Sequence, residues 1–270
     1  LVVLQAMDTA GKGGIVRHAF GGADPLRAAE SVREALRADR VDAVAVPATG
    51  RRKRLLIADM DSTVVTSETL DELAAFAGLK DEVAAITRRS MNGELDFAAA
   101  LRERVAMLRG LGLEALEQTW SHTALMPGAR ELVATMNAHG AHCALASGGF
   151  TWFTGRVAAM VGFGSHHANV LLDDGAALTG AVAEPVFDRD SKLSTLHRLC
   201  DELGVPVDDA LAVGDGANDL AMIGAAGLGI AFHAKPVVAA AARARVDHND
   251  LRALLFVQGY RAAEFRGDPG

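Results

Sequence analysis

The chain has 270 residues, half of them apolar and only 5% aromatic, and carries a formal net charge of −7. That length can bury a sizeable core, as one large domain or as a main domain with a smaller companion. The acidic balance offers no basic surface for nucleic acid, and the two cysteines, Cys143 and Cys200, stand in no metal-type spacing, which argues against a disulfide framework or a zinc site and fits a reducing cytoplasm. No apolar run reaches the ~20 residues that span a bilayer. The first residues show no charged stretch followed by an apolar core, although a chain that begins at Leu1 without methionine leaves room for residues before it.

Residues 1–50 read as a short block. It has an apolar run from Leu1 to Ala6, a glycine-rich turn at Gly11 to Gly14, a helical stretch from Pro25 to Ala38 and a strand from Val41 to Val46. The segment Ala10-Gly11-Lys12-Gly13-Gly14 lacks the spacing and the hydroxyl residue of a phosphate loop, so a plain turn is expected. The order of elements resembles an abridged ACT-type regulatory module. The run Arg51-Arg52-Lys53-Arg54 reads as a solvated linker.

Leu55-Leu56-Ile57-Ala58 is a buried parallel strand by pattern, and it ends in Asp59-Met60-Asp61-Ser62-Thr63. Ligands in such sheets bind beyond the carboxyl ends of the strands. Two carboxylates one residue apart repel unless a cation lies between them or one keeps a proton, although Asp and Ser are also common where a chain leaves a strand. Residues 67–126 then carry apolar residues at helical spacing in four segments, the pattern of a helical cap inserted over a crevice.

From Pro127 helix and strand alternate again: helix Gly128 to His139, strand His142 to Ala146, helix Trp152 to Val161, a hairpin around Leu171 to Val182, helix Lys192 to Leu203, and strands at Ala210 to Val213, Leu228 to Phe232 and near Val246. The expected fold class is α/β, a doubly wound, mostly parallel sheet with a helical cap. Two further strand ends carry polar groups. Ser147-Gly148-Gly149 puts a hydroxyl and backbone N–H groups at a helix start, an arrangement suited to an anion or to an ordinary cap. Gly214-Asp215-Gly216-Ala217-Asn218-Asp219 holds two carboxylates in a glycine-rich turn suited to Mg²⁺. Lys192 at a helix start opposes the helix dipole unless an anion shares its site. Together the four groups form a site for a phosphoryl group held with a metal ion.

These four groups resemble the motifs of the haloacid dehalogenase superfamily, and within it the chain is similar to the phosphoserine phosphatase family from about Lys53 to about Leu255. Four cap positions sharpen that likeness: Glu68, Met91, Phe97 and Arg104. The resemblance implies a core at 51–66 and 127–270, a cap at 67–126, and Mg²⁺-dependent hydrolysis of O-phospho-L-serine, the last step of serine biosynthesis, in the cytoplasm. It implies Asp59 as nucleophile and metal ligand, and Asp61 as acid and base with its backbone on the metal. Asp215 and Asp219 join the metal site, and Ser147, Gly148, Lys192 and Asn218 meet the phosphate. Glu68 and Arg104 hold the ammonium and carboxylate of the amino acid, with Met91 and Phe97 closing over it. The partner expected is this small molecule, with neither nucleic acid nor membrane, and a homodimer is one option for assembly.

Three alternatives stand beside this reading. One is a related phosphatase or phosphotransferase for another phospho-metabolite such as phosphohomoserine. Another is a non-catalytic amino-acid sensor, which would be expected to have lost the nucleophile or a metal residue. The third is a zinc hydrolase, for which the nine histidines, including His166-His167, lack the spacing.

Overall fold

The computed structural model describes residues 2–7, 18–20, 25–35, 39–91 and 95–267, with side chains described from residue 27 onward except at 88, 90 and 91. The glycine turn expected at Gly11 to Gly14 lies outside the described residues, as does the side chain of Met91.

The main sheet has six parallel strands in the order β11-β10-β9-β4-β5-β6. These are β4 (Leu55–Ala58), β5 (His142–Phe150), β6 (Ser165–Asn169), β9 (Ala210–Gly214), β10 (Leu228–Phe232) and β11 (Ala244–Val246). β4 lies in the middle and is wholly buried, as its unbroken apolar sequence requires. Alternation along the strands sends Leu56, Cys143, Leu145, Leu211 and Val213 into the core on one face, and Leu55, Ile57, Ala144, Ala146 and Ala212 into the core on the other. The small residues of the second face let helix α8 (Arg189–Leu203) lie close, packing Leu196, Leu199 and Cys200 there.

Between β4 and β5 the chain makes a long excursion through α2 (Thr69–Phe76), α3 (Lys80–Met91), α4 (Phe97–Ala106) and α5 (Glu114–His122) before α6 (Ala129–Ala138) returns to the sheet. Its two stems are tied together. Val65 bridges Leu125, the Thr66 N–H donates to the Ala124 carbonyl at 3.0 Å, and the Met126 N–H donates to the Val64 carbonyl at 2.8 Å. After α7 (Thr151–Val161) and β6, a hairpin of β7 (Leu171–Asp173) and β8 (Leu178–Val182) leaves the sheet and docks on the end of α4, with the Gly110 N–H bonded to the Leu178 carbonyl at 2.9 Å. The remaining short helices are α9 (Leu220–Ala225), α10 (Pro236–Ala241) and α11 (Arg252–Val257). None of the described helices is long and apolar enough to cross a membrane.

The first residues form a separate antiparallel sheet in the order β2-β1-β3, from β1 (Val2–Met7), β2 (His18–Phe20) and β3 (Asp42–Pro47), with α1 (Pro25–Ala35) against β3. Asp42 on β3 joins this block to the loop after β11. Its buried carboxylate accepts the backbone N–H groups of Asp247 at 2.7 Å, His248 at 3.2 Å and Asn249 at 2.9 Å, as well as the Asn249 amide at 2.8 Å.

Three elements depart from the sequence reading. β5 continues through Ser147-Gly148-Gly149 to Phe150, because β6, an apolar-poor edge strand not visible in the pattern, pairs with it around an irregularity between Ala146 and Phe150. Helix α8 begins at Arg189, capped by Asp188, whose carboxylate accepts the Ser191 N–H at 2.9 Å; Lys192 therefore lies one turn inside. The cationic run 51–54 is a brace more than a solvated linker. Arg51 donates to the Phe256 and Val257 carbonyls at the C-terminal end of α11, where the helix dipole favours a cation, Arg52 pairs with Glu264 over the Tyr260 ring, and Lys53 donates to the Asp208 carbonyl at 2.7 Å.

Replacing Asp42 leaves several N–H groups without their acceptor, and hydrogen bonds to a charged group are worth ~1.5 to 3 kcal/mol each before relaxation. Asp42→Ala is expected to speed hydrogen exchange at the amides of Asp247, His248 and Asn249 and to lower the unfolding free energy by about 2 kcal/mol in urea titration. Asp42→Asn, which keeps one acceptor oxygen, should lose less.

Candidate active site

Beyond the carboxyl ends of β4, β5 and β9 lies a cleft of about 100 Å³, lined by Asp59, Asp61, Glu68, Phe97, Arg104, Ser147, Gly148, Asp215, Asn218 and Lys235, among others. A parallel sheet delivers these residues to one place because every strand points its carboxyl end the same way.

At the floor of the cleft a buried ammonium joins two carboxylates. Lys192 Nζ lies 2.8 Å from Asp59 Oδ1 and 2.6 Å from Asp219 Oδ1, and both Lys192 and Asp219 are fully buried. Burial alone would pull the Lys192 pKa down, but the Asp219 and Asp59 carboxylates together hold it above its ordinary value, so it remains a cation. The second oxygen of Asp219 accepts the Gly216 N–H at 3.0 Å. Gly214 is required here for room: a Cβ on it would come within 2.3 Å of the Asp219 carboxyl carbon.

The carboxylates of Asp59, Asp215 and Asp219 can each point one oxygen so that all three lie within 4.8 Å of one another. Burial, then the Asp59 charge, push the Asp215 carboxyl up to about 6, with Lys235 and Lys192 working against them. So crowded an all-oxygen set, with Lys192 already committed, fits a hard divalent cation such as Mg²⁺. No histidine or cysteine joins a metal-type group among the described residues.

The Asp61 carboxyl is not part of that cluster. It turns to Thr69, accepting its hydroxyl at 3.2 Å and its N–H at 3.4 Å. Burial first, and the charges of Glu68 and Asp59 next, push its pKa well above the ordinary range. Met60 between the two aspartates is fully buried. The next residue, Ser62, has a φ of 55°, a left-handed conformation that is costly for a residue with a Cβ, and its hydroxyl donates to Glu68 Oε1 at 2.8 Å. The tight turn so formed swings Glu68 over the site.

Ser147 is fully buried in the irregular end of β5, where its Oγ accepts the Gly149 N–H at 3.0 Å. Phe97, the first residue of α4, leans over Gly148: a Cβ at Gly148 would stand 3.1 Å from the ring. Arg104, on the same helix, spends its Nε on the Ala100 carbonyl at 3.2 Å and lines the cleft with Glu68 opposite. Burial lowers its pKa while Asp71 and Glu68 raise it, and an arginine stays charged throughout.

Of the residues singled out in the sequence, Asp59, Asp61, Glu68, Phe97, Arg104, Ser147, Gly148, Asp215 and Asn218 line this cleft, with Lys192 and Asp219 beneath it. Met91 ends α3, and its side chain is outside the described residues. Sequence reasoning missed three residues. Thr69 holds Asp61. Asn169 is buried, and its amide donates to the Gly148 carbonyl at 2.9 Å while its oxygen accepts the Phe187 N–H at 2.7 Å. Lys235 lies at the cleft mouth. Thr69 was discoverable as a hydroxyl beside Glu68; Asn169 and Lys235 stand outside any motif.

A family profile described as a hydrolase, haloacid dehalogenase-like hydrolase, matches residues 53–227. The chain is 39% identical over 241 residues to a phosphoserine phosphatase of Streptomyces coelicolor, a match covering 89% of this chain and 59% of that protein. It is 43% identical over 216 residues to a phosphoserine phosphatase of Mycobacterium tuberculosis, covering 79% and 52%. It thus spans between a half and three fifths of the length of these two relatives. Among solved structures, a phospho-aspartyl intermediate analogue of phosphoserine phosphatase superimposes with a TM-score of 0.71 at 37% identity, over 76% of this chain and 98% of that one.

Removing Lys192 would leave Asp59 and Asp219 facing each other without a counter-ion. Lys192→Met is expected to cost about 3 kcal/mol of unfolding free energy, read by urea denaturation in EDTA. A smaller loss in excess Mg²⁺ is expected, since a cation at the carboxylates would replace part of the missing charge.

Proposed function

This chain belongs to the haloacid dehalogenase-like hydrolase family, and we propose that it hydrolyses O-phospho-L-serine to L-serine and phosphate. The observation that carries the reading is one cleft holding two chemistries: the carboxylate and lysine cluster at its floor, and an acid and a guanidinium, Glu68 and Arg104, on its cap side. An amino-acid head carries one cation and one anion, so a matching binder presents opposed charges, and a guanidinium can grip a carboxylate with two parallel bonds. In this reading residues 51–66 and 127–270 act as the catalytic core and residues 67–126 as its cap.

Asp59 attacks phosphorus in line, and the bond to the serine oxygen breaks as the Asp59–phosphorus bond forms. Asp61, whose buried setting favours the protonated form, gives its proton to the departing serine oxygen. It then takes a proton from the water that cleaves the acyl phosphate, which restores Asp59 and releases phosphate. The Ser147 hydroxyl, the Gly148 N–H and the Asn218 amide are neutral donors for phosphoryl oxygens, and the Lys192 ammonium, which also holds the Asp59 carboxylate in place, is the cationic donor at the floor. Mg²⁺ held by Asp59, Asp215 and Asp219 would supply the positive charge that offsets repulsion between carboxylates and a phosphate dianion. Phe97 and the helices behind it cover the cleft and limit access of water.

The test is phosphate release from L-phosphoserine in Mg²⁺. Asp59→Asn should lose activity by roughly a thousandfold or more, as removal of a nucleophile does; ordinary turnover by that variant would refute the assignment. Arg104→Ala should raise KM for phosphoserine by about a hundredfold while changing hydrolysis of p-nitrophenyl phosphate by less than about threefold. Equal losses on both substrates would remove Arg104 from amino-acid recognition.

A further inference from the structure

We propose that Lys235 is a further substrate-binding residue, whose ammonium takes a phosphoryl oxygen at the mouth of the cleft; this rests on the phosphatase reading above. Lys235 lies in the loop between β10 and α10, where its backbone is pinned. Its N–H donates to the Asp215 carbonyl at 3.1 Å, its carbonyl accepts the N–H groups of Val238 at 2.9 Å and Ala239 at 3.0 Å, and Pro236 follows. The stem of the side chain is therefore anchored beside the metal-type carboxylates, while its end is free to turn.

Two lysines approach this carboxylate group, and they differ in what they can do. Lys192 has no exposed surface and is held to Asp59 and Asp219 by short bonds, so it meets a phosphoryl group only where that group reaches Asp59 at the floor of the cleft. Lys235 is 45% exposed, and its Nζ stands 3.6 Å from Asp215 Oδ2, an ion pair too long for a hydrogen bond. Such a half-exposed pair contributes little to stability, so Lys235 is poorly explained as a structural brace.

The charges of the cleft wall give the ammonium a purpose. Asp59, Asp61, Glu68 and Asp215 all line it, whereas its lining cations among the described residues are Arg104 and Lys235. Arg104 lies on the cap, on the side assigned to the carboxylate of the amino acid. A phosphate dianion entering past four acidic side chains gains from positive charge at the mouth in addition to what a cation held by Asp59, Asp215 and Asp219 would supply deeper in, and Lys235, beside Asp215, is the core-side residue of the wall that carries it. A compact ammonium with three rotatable donors on a long stem suits an anion that arrives as substrate and departs as free phosphate.

The experiment compares the wild-type chain with Lys235→Met and Lys235→Arg in saturating Mg²⁺, measuring binding of inorganic phosphate by calorimetry and KM and kcat for phosphoserine. Lys235→Met should weaken inorganic phosphate about tenfold and raise KM in similar proportion, with a smaller fall in kcat, and Lys235→Arg should recover most of the binding. Unchanged phosphate affinity in Lys235→Met, with its melting temperature intact, would overturn the proposal. Absence of phosphoserine turnover in the wild-type chain would instead defeat the phosphatase reading, and the calorimetric difference between wild type and Lys235→Met would still report on Lys235.

Discussion

A lysine ammonium without exposed surface, clasped between Asp59 and Asp219, is the interaction on which the rest of this site depends. Burying any one of these charges alone would be prohibitive, and burying three is feasible only because each satisfies another. The arrangement still leaves more negative than positive charge, since Asp215 lies against the same cluster. That residual charge sets the chemistry: the pocket is suited to a hard cation, and a phosphoryl group becomes welcome only beside one. An apolar core of similar volume would be no less stable, so so costly a cluster is better explained by reactivity than by folding.

The sheet makes the clasp feasible. Asp59 leaves the central strand β4, Asp215 and Asp219 follow β9 beside it, and Lys192 comes from α8, which the alanine-rich face of the sheet lets approach closely. Two local devices refine the placement. Gly214 lets the Asp219 carboxylate sit against the strand end, and the irregular end of β5 sets Ser147 and Gly148 at the cleft, with Asn169 of the neighbouring edge strand holding the Gly148 carbonyl. Over this floor the excursion between β4 and β5 brings Glu68, Phe97 and Arg104, its stems tied by the Val65–Leu125 bridge.

Much of this was legible in the sequence, for definite reasons. A central parallel strand is buried on both faces, so Leu55 to Ala58 form an unbroken apolar run and the polar residues that follow stand out. The same holds at β9 and at the start of Ser147-Gly148-Gly149. What pattern could not reveal depends on tertiary contact. β6 reads Ser-His-His-Ala-Asn because an edge strand is half exposed, so neither it nor Asn169 announces itself. Lys192 reads as a helix start because the charged residues before it carry no apolar periodicity, whereas the Asp188 cap starts α8 a turn earlier. The run 51–54 reads as solvated charge because its partners are distant in sequence: Arg51 meets carbonyls of α11, Arg52 meets Glu264 and Lys53 meets the Asp208 carbonyl. Lys235 was invisible for the same reason: nothing near it in sequence tells that Asp215 lies across from it.

The central claim is that Asp59 carries the phosphoryl group covalently between two half-reactions. It is tested most directly by mixing the Mg²⁺-loaded protein with L-phosphoserine, quenching in acid within the first turnovers, and locating phosphate by mass spectrometry of the peptide that contains Asp59 and Asp61. The account predicts a phosphorylated peptide whose modification maps to Asp59 and is absent from Asp59→Asn. Steady release of phosphate with no phosphorylated peptide, or with the group on Asp61 or another residue, would contradict it.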